Sequence, residues 1–299
     1  MKKLLILALD RFTDQQIFSW PVKYLGAVVE VYGKNNLGLG PDDMIRGLVL
    51  EHQPDVVVWS GVCGGESMPR FETLRALRAG YRSVMVCWDA GHKDWHPYLT
   101  EYAKHDTFDL VCGVDGSFDW PRRKQDLPCL CPINPEWYDG AGADRQIDLG
   151  FMGSYDDRSR RAAVLDSLAG VCRVERRTGN PGAYKDYADF MLRCRATVNV
   201  ANSAGDGAMH VKARCVEAAW AGCMLFESAG SPLRKWLRAG LDYYEYSQPN
   251  DIREFISATR NVLGSACGPW DKVAAEYGQR LREAMQPHHP RHFWEQVMR

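Results

Sequence analysis

Short apolar runs alternate along the chain with longer amphipathic segments. The apolar runs are rich in Val, Ile, Leu and aromatic residues, as strands buried on both faces of a parallel sheet are. In the first half this pattern predicts strands at Lys3–Leu9, Ala27–Tyr32, Asp55–Ser60, Ser83–Trp88 and Asp109–Val114, and a shorter sixth run near Leu127–Cys131. It predicts helices between them at Asp42–His52, Pro69–Arg78 and Pro97–Lys104.

The alternation is interrupted between Pro132 and Asp144, where prolines and glycines give the composition of a linker. It restarts with strands predicted at Asp148–Met152, Cys172–Arg176, Thr197–Ala201, Cys223–Glu227 and Tyr243–Tyr246. Helices are predicted at Arg160–Leu168, Tyr184–Arg195, Val211–Trp220, Asp251–Leu263 and Asp271–Met285. Strand–helix alternation on both sides of a linker predicts two α/β domains in tandem, residues 1–144 and 145–299.

Composition and charge narrow the functional classes. Apolar residues at 45% and charged residues at 25% exclude a disordered or fibrous chain. A net charge of -1 does not suggest a partner held by bulk electrostatics, such as non-specific nucleic acid. The halves differ, however: 15 basic against 20 acidic residues over 1–144 give -5, and 22 against 18 over 145–299 give +4. A basic second half suits anion binding, with scatter about neutrality as the alternative.

Other features indicate where the protein works. No apolar run approaches the roughly 18 residues of a membrane helix, so we expect no membrane insertion. The ten cysteines are spread along the chain without a Cys-x-x-Cys pair, which favours reduced thiols over disulfides or zinc. We therefore expect a cytoplasmic protein.

The loops that follow the predicted strands are the first candidates for a binding site, because open parallel sheets bind ligands beyond the carboxyl ends of their strands. Gly153 and Ser154 follow the strand at 148–152, and Arg158 leads into the next helix. Bare backbone N–H groups at a helix start, with a hydroxyl beside them, can hold an anion. An ordinary tight turn is the alternative.

A second loop, 202–210, contains Asp206 and precedes the helix predicted to begin at Val211. Lys212 and Arg214 stand near the start of that helix, where they can reach phosphates. Glu217 lies about one helical turn after Arg214 and could accept the hydroxyls of a ribose. A surface Arg–Glu pair on an amphipathic helix is the alternative.

These motifs resemble those of a known enzyme family. The stretch Arg214-Cys-Val-Glu217-Ala-Ala-Trp-Ala-Gly222 is similar to the R-x-F-E-A-x-A-C/A-G signature of two-Rossmann-domain (GT-B) glycosyltransferases, in their CgeB-like, group-one branch. The stretches 148–158, 237–251 and 274–280 resemble further passages of the same family. The resemblance covers roughly residues 146–299, and over 1–145 it rests on the layout and on Trp88-Asp89.

The resemblance implies an α/β fold of two Rossmann-like domains with a cleft between them. The first domain would hold the acceptor and the second the donor, and the last helix, 291–298, would pack back on the first domain. The activity implied is transfer of a sugar from a nucleotide-diphosphate sugar, a UDP-sugar above all, to an acceptor hydroxyl, without a metal or another cofactor.

The resemblance also implies roles for the donor-site residues. Gly153 and Ser154 would lie near the diphosphate, Lys212 and Arg214 would neutralise it, and Glu217 would hold the ribose. Retaining relatives carry a further Glu eight residues before the ribose Glu, where this chain has Met209. Asp206 is the nearest acid, so the stereochemistry of transfer stays open.

In the first domain, Asp89 and His92 follow the strand predicted at 83–88 and are candidates for the base that takes the acceptor proton. A loop-capping Asp and a solvated His are the alternatives.

The basic run 122–124 is either a solvated loop or a contact for a nucleic-acid acceptor. The acceptor stays open among a glycan, a protein, a small molecule and a hydroxylated DNA base. An epimerase or hydrolase of sugar nucleotides on the same fold, and a non-catalytic spore- or virion-associated relative, stay open as well.

Overall fold

The computed structural model of the chain describes residues 2–8, 14–31, 41–61, 69–140, 144–153, 160–178, 183–201, 209–261 and 269–299. These residues divide into two compact units. Unit 1 comprises the described residues within Met1–Asn134, Ser203–His210 and His288–Arg299. Unit 2 comprises those within Pro135–Asn202 and Val211–Pro287.

The described residues form strands and helices in alternation. The strands are β1 Leu4–Ala8, β2 Val28–Val31, β3 Val56–Gly61, β4 Arg82–Cys87, β5 Leu110–Gly113, β6 Leu127–Pro128, β7 Ile147–Met152, β8 Val174–Arg177, β9 Cys194–Asn199, β10 Met224–Ser228 and β11 Tyr244–Tyr246. The α-helices are α1 Ser19–Leu25, α2 Pro41–His52, α3 Phe71–Gly80, α4 His96–Lys104, α5 Arg160–Ser167, α6 Tyr184–Leu192, α7 Ala213–Ala221, α8 Pro249–Asn261, α9 Pro269–Met285 and α10 Pro290–Met298.

The sheet of unit 1 is parallel and has the order β2-β1-β3-β4-β5-β6. β1 and β3 are buried along their whole length, which explains why they are apolar at almost every position. Leu7, Trp59, Met85 and Phe108 belong to one core cluster on this sheet. The chain reverses its winding direction between β1 and β3, which makes that position the switch point of the sheet.

The last helix, α10, belongs to unit 1. Its apolar face buries Phe293, Trp294 and Val297, and the Trp294 ring meets the Phe18 ring edge-on at 6.0 Å. The side chain of Arg82, at the start of β4, donates to the Val297 carbonyl at 2.9 Å. The helix is thus tied to unit 1 through both apolar packing and hydrogen bonds.

The sheet of unit 2 is also parallel, with the order β11-β10-β9-β7-β8. When its strands are counted from β7, this order is the same as that of β1 to β5 in unit 1. The switch point of unit 2 therefore lies between β7 and β9. Leu149, Phe151, Val198, Phe226 and Trp270 belong to the core that fixes the sheet against its helices. A ligand of unit 2 is expected beyond the carboxyl ends of β7 and β9.

All predicted strands are present, but one helix–strand boundary was wrong. The helix predicted to reach Arg195 ends at Leu192, and β9 begins at Cys194. Cys194 pairs with Ile147 in the sheet. Its Sγ lies only 2.2 Å from the position that a Cβ on Gly150 would take, so the two strands pack closely because residue 150 is a glycine. This close packing between β7 and β9 requires extended backbone from Cys194 onward, which overrides the helical pattern.

One helix, α1, has no counterpart in the predicted pattern. Its sequence contains Pro21, although proline is disfavoured inside a helix. In the structure Pro21 is the third residue of the helix, a position in the first turn where the missing N–H would have no helical partner. The proline is therefore compatible with the helix.

Candidate active site

The carboxyl end of β7 presents a glycine that no other residue can replace without strain. Gly153 has φ +150°, a backbone conformation that side chains disfavour. A Cβ at this position would also lie 2.9 Å from Nη2 of Arg214. The bare backbone of Gly153 and the guanidinium of Arg214 therefore lie side by side, and their shared role at a diphosphate stays a prediction.

Arg214 is held in place by β7. Its guanidinium carbon lies 4.1 Å from the centre of the Phe151 ring, and its Nη2 donates to the Met152 carbonyl. Its Nε is buried and donates to no acceptor among the described residues. The guanidinium is thus fixed at the end of the strand.

A second arginine, Arg161, lies near Arg214 and was not predicted. Arg161 stands on α5, the helix that follows the predicted anion loop, and it is partly buried. Burial lowers the pKa of Arg161, and the positive charge of Arg214 lowers it further. The charges of Arg161 and Arg214 are thus close enough to interact. Ser154 and Arg158, between Gly153 and α5, lie outside the described residues.

Lys212 immediately precedes α7 and is half-buried, and its side chain makes no capping hydrogen bond to the helix. It stands at the positive end of the helix dipole, on the residue before the turn that carries Arg214. Asp206 lies outside the described residues. The donor-site roles implied by the resemblance stay predictions for both.

Glu217 is buried within a group of tyrosines. The Tyr184 hydroxyl donates to its Oε1 at 2.9 Å, and the Tyr187 hydroxyl donates to its Oε2 at 2.6 Å. The Tyr138 hydroxyl lies 2.6 Å from that of Tyr184. Burial raises the pKa of Tyr187, and the negative charge of Glu217 raises it further. The Glu217 carboxylate thus accepts from two tyrosine hydroxyls, and ribose binding by Glu217 stays a prediction.

In unit 1 the candidate bases lie on one turn after β4. The His92 N–H donates to the Asp89 carbonyl at 2.9 Å, which closes the turn. Trp88 is fixed by its Nε1, which donates to Ser60 Oγ at 2.9 Å. The Asp89 side chain is half-buried, and that of His92 is 16% exposed. The structure therefore brings the two predicted residues together on a fixed turn.

Two further titratable residues lie beside this turn, and the sequence analysis missed both. Asp115 follows β5 and His210 belongs to unit 1; both are buried, with His210 Nδ1 3.1 Å from Asp115 Oδ2. The His210 and His92 rings are stacked, with their centres 6.3 Å apart. The strand-end rule could have found Asp115, which follows the predicted strand 109–114, but no local pattern around His210 indicates its burial.

The basic run at 122–124 is partly neutralised. Arg123 binds Asp126 and Asp106, each at 2.8 Å, and its side chain is only 12% exposed. Arg122 and Lys124 are exposed. Arg123 is therefore a structural residue that holds its own loop, and two cations of the run remain at the surface.

Within the described ranges, no three His, Cys, Asp or Glu side chains come together as metal ligands do. Metal independence stays a prediction. No helix of the described part of the chain is both long and apolar enough to cross a membrane.

Comparisons with known proteins establish the fold. No family model and no curated protein matches the sequence. An α-glucosyltransferase solved with UDP and a 13-mer DNA containing an HMU base superposes with a TM-score of 0.67 and 8% identity, over 100% of this chain and 99% of that chain. Anabaena Alr3699/HepE in complex with UDP and glucose gives 0.64 and 11%, over 100% and 98%. AviGT4, a glycosyltransferase involved in avilamycin A biosynthesis, gives 0.52 and 14%, over 100% and 98%. The chain, with its two parallel α/β sheets, has the GT-B glycosyltransferase fold.

Proposed function

We propose that the protein is a glycosyltransferase that takes a sugar from a nucleotide-diphosphate sugar, a UDP-sugar above all, and that it belongs to the CgeB-like branch. The observation that carries the proposal is Arg214, which is held at the carboxyl end of β7 beside Gly153, with the positive charge of Arg161 near enough to interact with it. Solved structures with the same fold hold UDP or UDP-glucose, which supports the choice of nucleotide.

The main requirement of the reaction is stabilisation of the negative charge that develops on the leaving diphosphate. The bond between C1 of the sugar and the phosphate oxygen breaks, and its electron pair leaves with the diphosphate. Arg214 stabilises this charge as it develops, because its position is fixed before the reaction, and the positive charge of Arg161 adds to the effect. Lys212, Ser154 and Arg158 add to the same field, and no metal is needed.

The remaining candidate residues act on the two substrates. Glu217 holds the nucleotide ribose through its carboxylate, the role that the resemblance implies. Asp206, the acid nearest to the position of Met209, is the last member of the proposed donor-binding set. Asp89 or His92 takes the proton of the acceptor hydroxyl as its oxygen forms the new bond to C1.

The first acceptor to test is DNA that carries a hydroxymethylated base. The α-glucosyltransferase of the same fold was solved with such DNA, and Arg122 and Lys124 are exposed in unit 1. The eight described cysteines are free thiols, which supports a cytoplasmic location.

Titration calorimetry with UDP and UDP-glucose tests the donor site. The variants Arg161→Ala and Arg214→Ala should each bind UDP about 10- to 100-fold more weakly than the unsubstituted protein. This is the loss expected when a charge-assisted hydrogen bond is removed. Arg260→Ala is the matched control, because Arg260 binds Asp148 near the start of β7, at the other end of the strand. Equal affinities of Arg214→Ala and Arg260→Ala for UDP would refute the assignment.

Product analysis separates the other functions. A transferase leaves a UDP-sugar largely intact until an acceptor is supplied, whereas a hydrolase or an epimerase converts it alone. A protein that no nucleotide protects in thermal-shift measurements would be a non-catalytic relative, because a ligand at 100 times its Kd stabilises by about 2.7 kcal/mol.

A further inference from the structure

Asp115 is a buried carboxylate that connects three segments of unit 1. Its Oδ2 accepts from the Gly91 N–H at 2.8 Å and lies 3.1 Å from His210 Nδ1. Its Oδ1 accepts from the Ser117 N–H at 3.1 Å. The residue is 3% exposed, so these hydrogen bonds replace water. A carboxylate without them would be strongly destabilised at this depth.

The first of these segments is the turn that carries the candidate bases. Gly91 lies between Asp89 and His92, inside the turn that the His92 N–H closes. A Cβ on Gly91 would lie 2.6 Å from Ser117 Oγ, so the turn is in direct contact with the segment that follows β5. The hydrogen bond from the Gly91 N–H to Asp115 therefore fixes the middle of the turn against the segment that follows β5.

The third segment ends in His210. Because the Asp115 carboxylate only accepts hydrogen bonds, His210 Nδ1 carries the proton that lies between them. His210 is completely buried, and its ring is stacked at 22° against the ring of His92. The donor at His210 thus orients the Asp115 oxygen that holds the turn at Gly91, and the His210 ring packs beside His92.

We propose that Asp115 and His210 are positioning residues of the transfer reaction, which fix the turn bearing Asp89 and His92 where it takes the acceptor proton. This inference rests on the proposed function, because it assumes that one of those two residues is the base. A base displaced by about 1 Å loses on the order of 100-fold in rate, so the restraint has a measurable value.

Substitutions at both residues test the proposal. Asp115→Asn replaces one acceptor with an NH2 group that faces donors. His210→Phe keeps a ring against His92 but has no donor for Asp115. His210→Asn keeps a donor near the position of Nδ1 and removes the ring. Asp42→Asn is the matched control, because Asp42 is a buried aspartate of the same unit that accepts from the Arg70 backbone N–H at 2.8 Å.

The rate to measure is UDP release from UDP-glucose, which transfer to a hydroxymethylated DNA oligonucleotide and transfer to water both produce. We expect kcat to fall about 10- to 100-fold in Asp115→Asn and His210→Phe, with the Kd for UDP within twofold of the unsubstituted protein. His210→Asn should recover most of kcat. Asp42→Asn should lower Tm and leave kcat unchanged. Amide exchange at Gly91 should accelerate in Asp115→Asn.

Three results would overturn the proposal. One is that Asp115→Asn and Asp42→Asn, when they lower Tm by the same amount, have the same kcat. Another is an unchanged kcat in His210→Phe, and the third is a His210→Asn variant as slow as His210→Phe. If the unsubstituted protein binds no UDP and releases none from UDP-glucose, the proposed function itself fails, and this result is seen before any variant is made.

Discussion

Replacement of Gly278 by alanine should destabilise unit 2, because this glycine is the contact point between α9 and the end of α7. A Cβ on Gly278 would lie 2.0 Å from the Gly222 carbonyl oxygen and 2.6 Å from the Gly222 carbonyl carbon. Gly222 ends α7 in the left-handed conformation at φ 64°, and its N–H donates back to the helix. Neither backbone can rotate away from the added methyl group.

The size of the effect follows from these distances. Ordinary contacts of a Cβ begin near 3.4 Å, so the two segments must separate by at least 3.4 − 2.0 = 1.4 Å. Overpacking of this kind costs about 1–3 kcal/mol or more, whereas Ala in place of Gly gains about 1 kcal/mol in a helix interior. Because a separation of 1.4 Å is large for a packed contact, we take the upper end of the cost, about 3 kcal/mol, and expect a net loss of roughly 2 kcal/mol. Because α7 carries Arg214, we also expect weaker UDP binding.

Gly47→Ala is the matched control for this prediction. Gly47 is a glycine of α2 in unit 1, and a Cβ there would meet no atom within 4 Å. The same substitution should therefore stabilise unit 1 by about 0.5–1 kcal/mol. Urea unfolding gives the midpoints, and hydrogen exchange of peptides from α7 and α9 assigns the change to unit 2.

The opposite order of stabilities would refute the reasoning. If Gly278→Ala were as stable as the unsubstituted protein, the two helices would not approach through their backbones at this point. If exchange accelerated in unit 1 peptides instead, the destabilisation would have another origin.

Two further predictions concern a glycine and a buried carboxylate. Gly153→Ala should weaken UDP binding by about tenfold, because the methyl group strains the backbone and displaces the guanidinium of Arg214. Calorimetry measures the Kd for UDP. Gly240→Ala is the control, because Gly240 also has a positive φ but a Cβ there would meet no atom within 4 Å. Burial raises the pKa of Asp42, but hydrogen bonds from Thr73 and Arg70 outweigh it and lower the pKa below its ordinary value. Its stabilising contribution is therefore complete above about pH 4 and is lost as pH falls through the lowered pKa, so urea midpoints of Asp42→Asn should fall less steeply below pH 4.

The strand pattern was predicted from sequence because parallel strands buried on both faces must be apolar throughout. β1, β3 and β10 are buried at every position, and each was predicted within three residues of its ends. Boundaries that depend on tertiary contact were missed. β9 starts early because Cys194 packs into the space above Gly150, which no local pattern contains.

The candidate site residues also differ in whether local sequence or tertiary contacts define them. Gly153 and Arg214 stand in local motifs at the end of a strand and the start of a helix, and the structure brings them into contact. Arg161 was missed because an arginine on an amphipathic helix has no feature that distinguishes it from surface arginines. His210 was missed because its burial depends on Asp115, which is 95 residues away in the sequence.

The charge of the second half has a different meaning once its partners are known. The half carries a net +4, but most of its described arginines bind a carboxylate: Arg176 binds Asp166 at 2.6 Å, and Arg260 binds Asp148 at 2.6 Å. Such exposed pairs contribute little to stability or to binding. Arg161 differs, because the charge that shifts its pKa, after burial, is that of another arginine. Under the proposed function, a diphosphate would be stabilised by the positive charges of both Arg161 and Arg214. The position of two arginines, rather than the net charge, is therefore what makes the end of β7 a candidate donor site.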